Sequence, residues 1–408
     1  MKATQSFNSE SKFGAIKFFI LLILTFLITT SCDLTDPKKD KPKPEGYQED
    51  IPWPSLADSP WPMFMHDPQN TGRSKLEIPS NFTSIVNSIY CRNLLAGCVL
   101  GKDDFIFNSS NYSVLYSYNH LSLIKNYEKI IGSESLTAPL ISKNNIYTSA
   151  QNIVYAFNIN GDSLWSVAFN NTQFIYQRSL NIDRDGNIYV IANKTLYKIN
   201  SDGKILNQLM IDNIDLGFNT SAFSPDGKTL YVQGNTTSIL AIDINTFSIK
   251  WTYGERENNI PPAVDCYGNI YLLLLDSDKR YCLVSLNEEG LLRWKFQHYE
   301  NVEAGGYPII SKYGDIIFGF DTLYSVSYQG KLNWKKSFPS KISSITTDCA
   351  GNLLVGTSTK EVVFLDKNGI IKSGIKLQHY GNDLLPIIFT KDKIFAPVYK
   401  GGIIFVIK

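Results

Sequence analysis

One short stretch constrains this chain more than any other, because most of the chain is that stretch again. Residues 181–203 place two runs of alternating β-formers, Ile188-Tyr189-Val190-Ile191 and Leu196-Tyr197-Lys198-Ile199, around a short polar link, with Asp/Asn/Gly turns on either side. Such runs read as strands joined by tight hairpins; a helix needs apolar positions three and four apart, and these alternate. The Ile-Tyr strand returns as Phe105-Ile106-Phe107, Ile146-Tyr147, Leu230-Tyr231, Ile270-Tyr271, Ile316-Ile317-Phe318, Leu353-Leu354-Val355 and Ile394-Phe395. The period is about 41 residues, the window of a four-stranded propeller blade, and about eight copies can be counted.

Each copy opens with an inner strand, as in Pro139-Leu140-Ile141, Ser221-Ala222-Phe223, Pro308-Ile309-Ile310 and Pro386-Ile387-Ile388. The Ile-Tyr strand and a third strand such as Val154-Tyr155-Ala156-Phe157 follow. The fourth begins Gly-x-x-x-Trp and supplies Trp165, Trp294 and Trp334, with Trp251 at the same place after a slightly longer turn. A large flat ring on an outer strand can fill the gap to the next blade, so these four tryptophans are assigned to blade docking. Asn207 and Ser373 stand at that position in the third and seventh copies, which predicts weaker junctions there. The last copy ends at residues 402–408 after its third strand, while residues 82–86 before the first copy are spare. Pairing the two closes the ring and removes exposed edges. The expected fold is therefore all-β: a single eight-bladed propeller of four-stranded blades, with seven blades as the fallback, closed by its N-terminal and C-terminal strands.

Composition narrows the function. The chain has 408 residues, a net charge of +1 and 19% charged residues, which argues against a nucleic-acid binder with its basic stripe. Length alone suggests more than one domain, but stacked repeats form one continuous structure. The six cysteines, Cys32, Cys91, Cys98, Cys266, Cys282 and Cys349, form no Cys-x-x-Cys pair, so a zinc knuckle or thioredoxin-like site is not expected. Cys91 and Cys98 could join in a local disulfide or remain buried thiols.

The amino terminus reads as an export signal over residues 1–31. Lys2, Lys12 and Lys17 give a basic start, and residues 18–28 form an apolar run too short to favour a spanning helix. The run ends in Thr29-Thr30-Ser31-Cys32. A small residue directly before the first cysteine resembles a bacterial lipoprotein signal, although Thr29 replaces the usual Leu; the resemblance implies cleavage before Cys32 and lipid attachment to it. Residues 32–58, in which prolines alternate with Lys, Asp and Glu, are expected to be a disordered tether. Residues 59–408 are the expected propeller domain.

That domain opens with Trp61-Pro62-Met63-Phe64-Met65-His66-Asp67-Pro68-Gln69-Asn70-Thr71-Gly72-Arg73. A Trp-Pro-x-Phe-x-x-Asp-x-x-x-Thr-Gly-Arg segment ahead of Trp-ended β-repeats resembles the opening of the quinoprotein-like (PQQ-like) propeller family, and the resemblance extends over roughly residues 59–408. Its expected job is to lay Trp61 and Phe64 across the propeller, and His66 beside Asp67 reads as a packed histidine. The anchor, size and blade count are also similar to those of the propeller lipoproteins of the outer-membrane barrel-assembly machinery.

Little in the chain carries chemistry. Asp183-Arg184-Asp185-Gly186-Asn187 starts like a calcium loop, but no bidentate Glu follows at the right spacing, and the hairpin reading is preferred. Gln297-His298-Tyr299 and Gln378-His379-Tyr380 occupy equivalent outer positions and follow from repeat ancestry. The quinoprotein enzymes of the resembled family carry vicinal cysteines and a calcium held by inserted loops. This sequence has no Cys-Cys, its repeats are nearly uniform, and it has neither a Cys-x-x-Cys-His haem site nor a Gly-x-Ser-x-Gly elbow. No catalytic, cofactor or metal residues are assigned. The reading is a non-catalytic scaffold, lipid-anchored at Cys32 in a bacterial envelope, outer membrane favoured, with protein partners and a link to outer-membrane protein assembly implied by the resemblance. Its contacts would fall on loops such as 173–176, 255–258, 298–301 and 379–382. The alternatives are a glycan- or matrix-binding propeller and, third, a PQQ-dependent dehydrogenase.

Overall fold

The computed structural model describes residues 42–79, 82–91, 93–109, 113–132, 137–143, 145–170, 175, 180–211, 220–234, 237–254, 260–275, 281–297, 307–378 and 383–408. The chain divides into two units, residues 1–44 and 45–408, and the second is described here. It holds eight antiparallel four-stranded sheets, the blades of an eight-bladed propeller. Their innermost strands are, from blade 1 to blade 8, Val99–Leu100, Leu140–Ile141, Asn181–Ile182, Ala222–Phe223, Ala263–Val264, Ile309–Ile310, Ile342–Thr347 and Ile388–Phe389. Within blades 1–7 the strands follow one another outward in sequence order. Burial follows position. In blade 3 the second strand, Ile188–Ala192, is buried throughout because blades pack on both its faces, whereas the outermost, Ile205–Met210, is mostly exposed.

Blade 8 is completed by the other end of the chain. Its third strand, Ile403–Ile407, pairs antiparallel with Ile85–Tyr90, with Ile85 opposite Ile407 and Tyr90 opposite Ile403. The closing strand therefore starts three residues later than the spare stretch read from the sequence. Residues 83 and 84 instead reach the last residue, both donating their amides to the Lys408 carbonyl.

The Asp-x-x-Gly-Asn turn between the first two strands of a blade is fixed by its own carboxylate. Asp265 accepts the amides of Tyr267 (2.9 Å) and Asn269 (2.8 Å) on one oxygen, and the Asn269 side-chain amide and Tyr271 hydroxyl on the other, each at 2.8 Å. Asp183 and Asp348 repeat the arrangement, and Asp183 also receives Lys198 Nζ at 3.2 Å. The calcium-like start at Asp183 is thus a hairpin whose acceptor capacity is already used by its own chain.

Neighbouring blades meet ring against glycine. The indole nitrogens of Trp165, Trp251, Trp294 and Trp334 donate to the carbonyls of Ser201, Glu288, Tyr328 and Lys367 in the next blade, at 2.7–3.1 Å. Each ring lies on the turn glycine there, Gly203, Gly290, Gly330 or Gly369, where a Cβ would come within 2.6–2.8 Å of the indole. Tyr127 of blade 1 meets Gly161 in the same way. Where the ring is missing, the glycine is missing too. Opposite Asn207 the blade 4 turn has Phe247, at φ 55° and 7% exposed, and its ring lies 6.4 Å from Tyr189 of blade 3. Opposite Asn87 of the closing strand, blade 1 has Leu123 at φ 61°. The weaker junction expected at Asn207 overlooks this exchange, in which the ring is supplied from the other side. At Ser373 the next blade is the closure blade, and Phe364 and Leu377 join its apolar cluster instead.

Residues 45–58, assigned by composition to the tether, differ from that expectation. Trp53 is 8% exposed, donates its indole N–H to Ile182 O at 3.0 Å and packs on Phe223 at 5.5 Å. The residue responsible is the tryptophan itself: a proline-rich segment carrying one large ring can bury enough apolar surface to hold the chain down.

Candidate functional site

The innermost strands are two residues long in seven of the eight blades, so each presents an inner edge of backbone donors that needs partners. Residues 61–74 supply them. Leu100 N of blade 1 donates to Trp61 O (2.8 Å), Ile141 N of blade 2 to Pro62 O (2.8 Å), and Phe223 N of blade 4 to Pro68 O (2.7 Å). Val264 N of blade 5 donates to Gln69 O (2.9 Å), Ile310 N of blade 6 to Thr71 O (2.9 Å), and Thr347 N of blade 7 to Gly72 O (3.0 Å). Asn181 Nδ2 of blade 3 also reaches Pro68 O, at 3.3 Å, and the Trp61 ring lies 6.3 Å from Phe389 of blade 8. One segment, an inner belt, therefore touches every blade.

The belt coils tightly enough to need left-handed backbone at Met65 (56°), His66 (77°), Asn70 (58°) and Gly72 (63°). At Gly72 a Cβ would stand 2.5 Å from Ile309, which explains the glycine. Asp67 holds the coil: it accepts the amides of Gln69 (3.2 Å) and Thr71 (3.0 Å) and the Thr71 hydroxyl. Its second oxygen lies 3.3 Å from His66 Nδ1. His66 is buried with its ring edge-on to Trp61 at 5.2 Å.

Residues 46–58 cross the same region as a strap tied to the first turns of several blades. Gln48 N donates to Lys312 O (2.9 Å), Cys266 N to the Gln48 side chain (2.9 Å), and Ala57 N to Ile141 O (3.0 Å). Asp50 sits 3.1 Å from Lys312 Nζ and 3.5 Å from buried Arg73. Burial works against the Asp50 charge, but the Lys312 hydrogen bond and the Lys312 and Arg73 charges outweigh it and hold the carboxyl below its ordinary 3.8. Strap and belt enclose a cavity of about 350 Å³ whose walls include Asp50, Trp53, Leu56, His66, Arg73 and Lys143. That volume suits a small molecule. Of its four acidic groups, Glu49, Asp50, Asp58 and Asp67, Asp50 and Asp67 are engaged by the partners described above, and the thiol in its wall, Cys266, is pushed up by burial.

The calcium implied by the family resemblance does not fit these residues. Among the described residues no three His, Cys, Asp or Glu side chains converge as a metal site, and the repeat carboxylates are saturated by their own turns. Cys91 and Cys98 are both thiols, with burial pushing Cys91 up to about 12 and Cys98 well above its ordinary value. Cys32, His298, His379 and most of the loops named as contact surfaces lie outside the described residues. The tryptophans named from the sequence occupy four blade junctions. What sequence reasoning missed is the strap and the use of belt carbonyls; Trp53 among the prolines was the signal available for the strap.

No family model and no curated protein matches the chain. Solved structures do. BamB from Moraxella catarrhalis is 15% identical, with 80% of this chain and 97% of that one covered and a TM-score of 0.59. A europium-containing methanol dehydrogenase is 12% identical, covering 87% and 98%, with a TM-score of 0.63. The quinohemoprotein alcohol dehydrogenase from Comamonas testosteroni is 11% identical, covering 85% and 80%, with a TM-score of 0.61. At such identities the likeness extends to fold and not to activity: this chain has the eight-bladed propeller fold of the PQQ-like proteins.

Proposed function

We propose that the chain is a non-catalytic, protein-binding propeller scaffold, exported and held in a bacterial envelope by lipid on Cys32, with the outer membrane as its site. The observation that carries this reading is the inner belt. The chain spends the inner edges of its blades on its own residues 61–74 and its turn carboxylates on its own amides, so contact falls to the rims and outer strands. Residues 1–31 act as the signal and the chain up to the strap as the tether. Assembly of outer-membrane proteins is the process in which such a scaffold would serve.

The test is crosslinking of intact host cells carrying the tagged full chain, followed by identification of what co-purifies. Envelope proteins recovered with the wild type, and lost when loop residues 298–306 are replaced, are the expected result. Recovery of the chain alone overturns obligate scaffolding and favours glycan binding. After a wash in about 0.5 M salt, which screens electrostatic attachment, Cys32→Ser should move the protein from the membrane to the soluble fraction; unchanged fractionation removes the lipid anchor.

A further inference from the structure

Charge is not spread evenly over this nearly neutral molecule. Residues 327–377 carry eight lysines, at 331, 335, 336, 341, 360, 367, 372 and 376, against three acids, Asp348, Glu361 and Asp366. The excess of five positive charges in a chain of net +1 leaves the remainder net negative. Asp348 is buried, its carboxylate accepting hydrogen bonds within its own turn. This stretch is the outer strand of blade 6 (Leu332–Ser337) followed by blade 7, whose outer strand is Ile371–Lys376. The two blades are locked together by Trp334, whose indole donates to Lys367 O at 3.1 Å. Alternation along the strand places Lys336 on the blade 7 side with Trp334, and turns Lys376 back toward blade 6, opposite the ring position Ser373. Six of the eight lysines are exposed; Lys372 lies 2.9 Å from Asp366 and Lys376 3.9 Å from Glu361.

The second unit of the chain begins at this rim. Glu45 accepts a hydrogen bond from Gln329 Nε2, and Gly46 lies against the Tyr328 ring, so the chain enters through the turn directly before Lys331. The preceding sequence holds four more lysines, Lys38, Lys39, Lys41 and Lys43. Lysines without arginine present mobile point charges rather than fixed forks, which suits a fluid array of phosphate head groups better than one shaped anion site.

We propose that the outer rim of blades 6 and 7 is a membrane-docking surface for anionic phospholipid, lying beside the point from which the anchoring segment departs. A basic patch adds electrostatic attraction to anionic lipid on top of whatever an acyl anchor supplies, and sets which face of the domain meets the bilayer. The context rests on the envelope reading above, but the test does not require lipidation.

The full chain carrying Cys32→Ser is mixed with vesicles of phosphatidylcholine containing about 30 mol% phosphatidylglycerol, or with phosphatidylcholine alone, and floated. Binding to the anionic vesicles only is expected, falling more than about tenfold when salt is raised to about 0.5 M. Lys331→Glu/Lys335→Glu/Lys376→Glu should lower it by more than about tenfold. Lys129→Glu/Lys204→Glu/Lys250→Glu, on blades 1, 3 and 4, should leave it nearly unchanged. Matching thermal unfolding curves exclude misfolding, and the milder Lys→Gln set at 331, 335 and 376 should bind at an intermediate level. Equal binding to both vesicle types, or equal loss from both triple variants, overturns the proposal. So does retention on soluble heparin through the same lysines without vesicle binding, which would assign the rim to a polyanion. Loss of membrane fractionation by Cys32→Ser in cells tests the anchor separately.

Discussion

At the scale of single residues, the blade junctions depend on which side supplies the bulk. Gly290 has φ 79°, and a Cβ there would lie 2.7 Å from the Trp251 indole, whereas a Cβ at Gly374 would meet nothing nearer than 3.5 Å. Gly290→Ala combines a left-handed strain with displacement of a ring held by a hydrogen bond, and should cost about 2–4 kcal/mol. Gly374→Ala, in an outer strand of the same molecule, should stay within about 0.5 kcal/mol. Urea unfolding of both variants checks this, and equal stability of the two would sink the ring-on-glycine account. The tryptophans and their spacing could be read from sequence, because each recurs at a fixed place in its repeat. Their glycine partners could not be assigned so directly, since Trp251 and Gly290 belong to different blades and also serve separate turns.

At the scale of elements, the junction between blades 3 and 4 shows the same contact built backwards, with Phe247 in the glycine position and Asn207 in the ring position. Phe247→Gly removes the buried ring and should destabilise by about 2–4 kcal/mol. Adding Asn207→Trp should recover much of that loss, while Asn207→Trp alone should be unfavourable because two rings compete for one gap. A double-mutant cycle gives the coupling, and additive effects would show that the rings do not share the space. The strap is the element sequence reasoning assigned differently, because its prolines and charges outweigh a single Trp53 in any compositional average. Asp50 makes its attachment sensitive to acid. Its folded carboxyl titrates below the ordinary 3.8, so its contribution is complete above that value and is lost as pH falls through the lower folded value. Amide exchange in residues 46–58 should therefore rise in that acid window, relative to exchange in the blades. Asp50→Asn should remove the step; a step that persists in the variant would assign it to another carboxylate.

At the scale of the whole molecule, a ring of repeats is ordinarily joined through nearest neighbours, and this one has two further connections. One is the closing strand, legible in the sequence because a missing fourth strand at one end matched spare strand-forming residues at the other. The second is the belt. Its aromatic and Thr-Gly-Arg residues marked it in the sequence, and Trp61 and Phe64 are indeed buried, but its bonds to the blades come from backbone carbonyls, which leave no trace in residue type. The belt links blades that share no interface, so loosening it at one point should be felt around the ring. Asp67 is that point, because it fixes the coil from Gln69 to Thr71, whose carbonyls serve blades 5 and 6. Asp67→Ala leaves those donors without their acceptor and should cost about 2–4 kcal/mol. Native-state amide exchange distinguishes two outcomes. If the belt couples the blades, exchange at the amides of Phe223, Val264, Ile310 and Thr347 should accelerate together and by similar factors. If acceleration is confined to residues 67–71, the belt merely fills space, and closure of the ring rests on the strand pair formed by Ile85–Tyr90 and Ile403–Ile407.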